Sequence, residues 1–445
     1  MIMDGAARGI NRGVLKLAVP SILANITVPL VGIVDLAIAG HIGDAASIGG
    51  LAVASMLFDL LYWNMGFLRV GTGGITAQAF GRRDNRSIVD TLTQGLATAW
   101  GAAFVFLAIQ WLFVEVAFKL IVCSPEVEAV ARQYFFIRIW AAPATLSLFA
   151  FKGWFIGMQN TVFSMIVDLW VNIVNMAVSW LLAFHTPLGM AGIAYGTLIA
   201  QWTGFLLAVA LALVRYRSLL PEISLSRSVK WKYIRHFFKI NTDLFVRSLA
   251  FMVIYVGFTS LAATYGDVDL AVSSVMMKLF MLFSYFIDGF AYAGEALTGR
   301  FIGEDDRPSV RVTVRVLFMW GLIISALFTL AYIIFPMPII RLLTDDSQVL
   351  EGCGPFLFWL ALMPVASCIA FLWDGVYIGA TASAQMRNCM LLSAALFVLT
   401  YLLLRRPLGV QSLYAAYFAH LLCRSAYLSA GYRKNIILKG CNFQE

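Results

Sequence analysis

The stretch LAVPSILANITVPLVGIVDLAIAG, residues 17–40, carries a single ionisable side chain, Asp35, in an otherwise apolar run. At 1.5 Å per residue it makes a helix of roughly 36 Å, enough to cross a hydrocarbon core of ~30 Å with some tilt. Pro20 and Pro29 lie inside the run. Each deletes a backbone donor, and Pro29 takes the usual partner away from the carbonyl of Asn25, so a bend is expected there. An acid in an apolar helix just beyond a kink points to an ion or proton site, because a short carboxylate side chain snorkels poorly. The competing reading is an interfacial acid near the helix end, since Gly40 closes the run soon after.

Outward from this stretch, the chain of 445 residues is 61% hydrophobic and 13% charged, with a mean hydropathy of +0.84. Packed as a water-soluble protein it would expose large apolar patches, so the class is an all-α polytopic membrane protein. Arg8, Arg12 and Lys16 ahead of the first run, with Ala37-Ile38-Ala39 inside it, imitate a signal peptide. The run is too long for one and more spans follow, so no cleavage is expected. Apolar runs predict twelve helices, at about 15 to 40, 50 to 80, 88 to 116, 126 to 157, 162 to 184, 190 to 214, 238 to 265, 270 to 301, 309 to 336, 347 to 379, 383 to 404 and 409 to 431. An even number of spans places both termini on one side.

Lysines and arginines assign that side. Arg8 and Arg12, the group Arg82, Arg83 and Arg86, the central connection, and Arg433, Lys434 and Lys439 all fall with the termini, whereas His41 to Ser47, Thr186-Pro187 and Gly266 to Asp269 are neutral or acidic. The basic side is expected to be cytoplasmic, with Arg341 and Arg405-Arg406 as exceptions. The formal net charge of +8 is thus explained by topology and by attraction to anionic lipid, and a nucleic-acid partner is excluded. The six cysteines form no CxxC, which argues against a disulfide framework or a metal centre.

The chain repeats itself. Lys152-Gly153-Trp154-Phe155-Ile156-Gly157 matches Asp374-Gly375-Val376-Tyr377-Ile378-Gly379 at an offset of 379 − 157 = 222, and Ile75-Thr76 through Gly81 and Ser87 match Leu297-Thr298 through Gly303 and Ser309 at the same offset. One register over several helices indicates duplication. The expected organisation is an N-terminal six-helix lobe over 1–214, a basic interfacial linker over 215–237 that acts as a tether, and a C-terminal six-helix lobe over 238–445. Six spans precede the second copy, so both lobes share one orientation and are related by a pseudo-two-fold along the membrane normal, a transporter architecture.

Other function classes find little support. No Gly-Lys pair occurs, so no P-loop is present, and the four histidines form no HExxH. The expectation is a transporter without enzymatic activity, cofactor or metal. A receptor or scaffold remains as another class, with no appended soluble domain to support it. Asn175, Ser179 and Thr197 fall at the depth of Asp35 in the fifth and sixth helices, with Asn172 and Gln201 one turn away, and together they form the candidate coupling layer. The alternative is that Asn175 and Thr197 bond helix to helix. Asp288, Glu295 and Asp374 in the second half, with Lys152 in the first, are candidates for a gate; Lys152 and Asp374, repeat equivalents of opposite sign, motivate the hypothesis of a pair across the two-fold, against the alternative that each has an intrahelical or lipid partner. For most of Arg69, Arg138 and the cluster Asn241, Asp243 and Arg247, structural ion pairs are the favoured reading. Met56, Phe58, Tyr62, Trp63 and Met65 along the second helix offer a soft surface for lipophilic cations.

Asn25 through Asp35, Gly74 through Gly81, Asp288 through Ala293 with Glu295, and Asp374-Gly375 with Tyr377 through Thr381 resemble the DinF branch of the MATE multidrug exporters, over nearly the whole chain. The resemblance implies a V-shaped pair of six-helix bundles in the cytoplasmic membrane, a monomer that exchanges external protons, or sodium in some relatives, for cytotoxic compounds, drugs and dyes. It implies that Asp35 is the coupling residue, that Pro20 and Pro29 accompany its protonation, and that Asn175 and Thr197 are the family's asparagine and threonine. Some relatives carry a second acid where this chain has Ser179. Its absence favours proton over sodium coupling. The rival within transport is a lipid or amphiphile flippase of the same superfamily, for which Arg69, Arg138 and Lys278 are candidate cationic residues.

Overall fold

The computed structural model describes residues 5–42, 44–121, 123–228 and 230–438. Lys439 and Cys441 lie outside them, as do the side chains of Trp231, Lys232 and Tyr233. Among the described residues the regular structure is helical, with twelve long helices: α1 (Gly5–Ile42), α2 (Ala46–Gly81), α3 (Asn85–Leu120), α4 (Pro125–Gly157), α5 (Thr161–His185), α6 (Met190–Arg215), α7 (Trp231–Ala262), α8 (Asp267–Gly303), α9 (Arg307–Ile334), α10 (Ser347–Gly379), α11 (Ser383–Leu408) and α12 (Gln411–Tyr432). Eleven helices among the described residues are long and apolar enough to cross a membrane. The twelfth, α12, is 22 residues long but more polar, with His420 and Arg424 buried inside the fold. The all-α polytopic expectation therefore holds. Short 3-10 turns at Asn64–Gly66, Ile139–Ala141 and Gly354–Phe356 interrupt α2, α4 and α10.

The chain divides into two compact units, Leu23–Phe238 and the combination of Met1–Ile22 with Lys239–Glu445. This differs from one intact six-helix lobe on each side of residue 214. The difference lies in α1, a continuous helix that passes from one unit to the other between Pro20 and Pro29. Its first half packs with the later helices: the Trp320 indole donates to the Asn11 side chain at 2.7 Å, and Gly289 lies directly against Ala18 and Ile22. Its second half packs with α2 to α6, where Ile38 and Ala39 join a core with Leu57, Phe58, Phe135 and Ile193.

The linker also differs from a tether, because it is bonded onto the first unit. Arg227 grips Asp90 of α3, with Nη2 to Oδ1 at 3.0 Å and Nε to Oδ2 at 3.2 Å, and the Ser228 hydroxyl donates to the same carboxylate at 2.7 Å. Gln94 donates to the Ser228 carbonyl at 3.0 Å, and Tyr216 meets the Trp154 ring edge-on at 4.9 Å.

The duplication read from sequence recurs in the backbone at the same offset. Arg83 and Asp305 both adopt φ of 56°, and Gln159 and Thr381 adopt 60° and 49°. Each left-handed residue ends a helix in a Schellman turn, in which the next amide bonds back to a carbonyl one turn earlier: Asp84 to Ala79, Asp306 to Phe301, Asn160 to Phe155 and Ala382 to Tyr377. Asp84 and Asp306 then cap the following helix, each accepting from a serine amide, Ser87 and Ser309, at 3.0 Å. Partial burial works against the Asp84 charge, but the Ser87 hydroxyl and amide and Arg82 outweigh it and hold its carboxyl below the usual carboxylate range.

Lipid tails are as apolar as leucine, so helices in a bilayer associate by close packing, which small residues permit. Gly153 and Gly157 of α4 lie on the backbone of α2 at Arg69 and Gly73. Gly375 and Gly379 of α10 lie on α8 at their repeat equivalents, Ala291 and Glu295. A methyl at Gly375 would run into the Ala291 carbonyl, which belongs to a rigid helix. Gly375→Ala is therefore expected to destabilise the protein by about 1–3 kcal/mol, whereas Gly101→Ala, at an open position of α3 with no neighbour within 4 Å, should be neutral or stabilising. Thermal melting of the two variants in detergent checks the contrast; equal melting points would refute it.

Candidate functional site

The polar groups of the Leu23–Phe238 unit are held on five helices. Asp35 of α1 is half-buried, and its Oδ1 is shut off from solvent without a hydrogen-bond partner. Two turns earlier the Asn172 amide of α5 donates to the Thr27 hydroxyl at 2.7 Å, and Thr27 donates to the Ala24 carbonyl at 2.7 Å, which ties α1 to α5 just ahead of Pro29. Asn175 and Thr197 meet directly, with Nδ2 donating to Oγ1 at 2.9 Å between α5 and α6. Thr197 and Ser179 both donate to the carbonyl of Ile193, at 3.2 and 3.4 Å. The structure thus brings three members of the expected layer together. Asp35 makes no hydrogen bond to them; Asn175 Oδ1 is likewise buried without a partner. Gln201 is half-buried on α6, one turn beyond Thr197. Pro20 is half-buried and Pro29 exposed.

The neighbour that sequence reasoning assigns elsewhere is Arg138 of α4. Its charge acts directly on Asp35, on Asp59 and on the Tyr62 hydroxyl of α2. Among the described residues no carboxylate ion-pairs with it, so the structural ion pair expected for Arg138 does not form. Asp59 is exposed on α2, and the Tyr62 hydroxyl is buried without a partner. The signal was present in the sequence, since Asp59 interrupts the aromatic series from Met56 to Met65 and Arg138 is a charge inside a span.

The candidate gate residues are engaged within their own units. Lys152 pairs with Asp168 of α5. Asp374 Oδ2 accepts from Arg247 Nη2 at 2.5 Å and from Arg424 Nη2 at 2.6 Å, in a cluster where Arg424 is only 2% exposed. Each of the two repeat equivalents therefore has an oppositely charged partner on a neighbouring helix of its own unit, and neither side chain requires the other. In the same unit Asp243 holds Arg387 at 2.5 Å and accepts from Ser383 at 2.8 Å. The Asp288 carboxylate accepts from Ser284, one turn earlier on α8, at 3.4 Å, and Glu295 is fully buried. Arg69 is half-buried and Lys278 exposed.

Comparison with known proteins places the chain in a family. The MatE family model matches residues 20–181 and 244–403, one block in each repeat. DNA damage-inducible protein F of Escherichia coli (strain K12) is 32% identical, over 96% of this chain and 92% of its own length. Multidrug resistance protein MdtK of Edwardsiella ictaluri is 22% identical, over 83% of this chain and 81% of its own. The crystal structure of the Vibrio cholerae MATE transporter VcmN in the bent form superposes with a TM-score of 0.84 at 16% identity, covering 97% of this chain and 98% of that one. Each repeat thus carries the family signature and the whole chain carries its fold: the protein belongs to the MatE family, in the branch of DNA damage-inducible protein F.

Proposed function

We propose that this protein is a secondary active efflux antiporter of the cytoplasmic membrane, with both termini cytoplasmic, that exchanges external protons for cytotoxic organic compounds and carries the proton on Asp35. The observation that bears the most weight is the Asp35 carboxylate itself, with one oxygen buried and no hydrogen-bond partner. Such a group gains most from binding either a proton or an organic cation, and it cannot hold both. Protonation removes the charge that retains the cation, and the released compound leaves on the outer side. This competition couples the two fluxes. The membership of relatives such as Multidrug resistance protein MdtK in the same family supports drugs and dyes as cargo.

Proton coupling is favoured over sodium by the side chain one turn beyond Asn175. Ser179 stands there and spends its hydroxyl on the Ile193 carbonyl. A sodium site needs several oxygens and gains from a second carboxylate, which this position does not supply. The monomer is the expected working unit, with membrane lipid as its surroundings. The test is dye efflux from proteoliposomes under an imposed proton gradient or an imposed sodium gradient. Uphill efflux is expected with the first alone; efflux driven by sodium without protons would overturn proton coupling.

A further inference from the structure

Arg138 is a membrane-embedded cation that, among the described residues, closes no ion pair with an acid of its own unit, although Asp35 and Asp59 lie within reach of its charge. It lies half-buried on α4, with the guanidinium 4.5 Å from the centre of the Phe58 ring and 5.7 Å from that of Tyr134. Nη1 donates to the Tyr134 hydroxyl at 3.4 Å. Tyr62 packs beside Phe58, with ring centres 5.5 Å apart. A guanidinium offers five N–H donors in a rigid fork, and one long bond to a neutral hydroxyl leaves most of them unused. Other cations of this unit are satisfied: Lys152 holds Asp168, Arg132 holds Glu115 and Glu128, and Arg227 holds Asp90. The Phe58 and Tyr134 rings hold the Arg138 charge by cation-π attraction, which leaves its N–H donors available. Asp35 Oδ1 and the Tyr62 hydroxyl, both within reach of the Arg138 charge, are buried and lack partners. An acceptor and a fork of donors, both unfilled and set around aromatic faces, form a dipolar receptor.

We propose that Arg138 is a specificity-determining residue that binds an acidic group of the substrate, so that the preferred cargo is a zwitterionic aromatic amphiphile. Its ammonium lies on Asp35, its carboxylate or sulfonate on the Arg138 fork with Tyr62 as a further donor, and its ring body against Phe58 and Tyr134. The inference rests on the antiport reading in one respect, the competition of proton and ammonium for Asp35. A purely anionic compound would bind best when Asp35 is protonated and would therefore travel with the proton, so the cationic end is what makes exchange possible.

The test uses the full chain in nanodiscs and three ligands built on one aromatic scaffold: the amino acid, its methyl ester, and its N-acetyl derivative, with Kd read from tryptophan fluorescence. The wild type is expected to bind the amino acid roughly tenfold or more tighter than the ester, the scale of a charge-assisted hydrogen bond. Arg138→Gln should bring that ratio to about one without weakening ester binding, and Arg138→Lys should keep part of it. A ratio of one in the wild type, a ratio preserved in Arg138→Gln, or equal weakening of all three ligands in the variant would each overturn the proposal; the wild-type ratio needs no variant to fold. Binding at equilibrium needs no gradient. Lost coupling with an intact ratio therefore counts against the antiport reading, and the converse counts against this one.

Discussion

Asp35→Asn is expected to reduce proton-driven uphill efflux in proteoliposomes to the level of empty vesicles, while the protein still folds and still equilibrates substrate downhill. The substitution keeps the shape of the side chain and permanently removes the charge, which imitates the protonated state. Asparagine neither takes up nor releases a proton, so substrate movement is no longer tied to the proton gradient and only downhill passage remains. Folding should survive, because Asp35 Oδ1 makes no hydrogen bond that the amide would lose and, among the described residues, the Asp35 carboxylate makes no ion pair. Gradient-driven accumulation, counted beside a melting curve, separates the two effects. Persistent uphill efflux in the variant would assign the proton to another group.

The second large effect is structural and lies in the other unit. Asp374 is the shared counter-ion of Arg247 and Arg424, both bound through one carboxylate oxygen. Asp374→Asn leaves two guanidinium groups facing a neutral amide, one of them almost fully buried. Stripping a buried ion pair of one member costs on the order of 3–5 kcal/mol, because the remaining charge has lost its water and gained nothing. Arg247→Gln should cost less, since Asp374 keeps Arg424 and the removed group is the more exposed of the two arginines. Detergent melting temperatures should therefore fall in the order wild type, Arg247→Gln, Asp374→Asn. The reverse order would show that Arg247 holds the cluster together.

Much of this fold could be read from the sequence because its determinants are local. Apolar runs gave most helix ends within about four residues, although α1 begins at Gly5 and α7 at Trp231, well ahead of the apolar runs that start near 15 and 238, and the glycine spacing of residues 153–157 and 375–379 exposed a duplication that the backbone repeats down to its left-handed turns. Asp35 stands out in the sequence because it is the single ionisable residue of an apolar run, and the structure shows it half-buried with one oxygen lacking a partner. Asn175 and Thr197 could be matched by depth along their helices. Depth does not say which way a side chain faces, and this is where the reading stopped: Arg138 belongs to the group around Asp35, not to a structural pair, and Lys152 turns to Asp168. Partners such as Asp168 and Arg424 sit on other helices at unrelated sequence distances. Only the packing of α4 on α5, and of α10 on α12, brings the charges together.

The sharing of α1 between the units has a consequence for how the protein is made. A ribosome delivers the chain from its N-terminus, and early domains fold while later ones are still being synthesised. Asp90, Trp154 and Arg227 all precede residue 229, so the first unit and its linker can fasten together as soon as they emerge. The opening turns of α1 have to wait, because Gly289 and Trp320, against which Ile22 and Asn11 pack, are translated much later. The segment up to Ile22 is thus among the first made and among the last to find its place, and a slowing of translation beyond residue 238 prolongs the interval in which it lacks its packing.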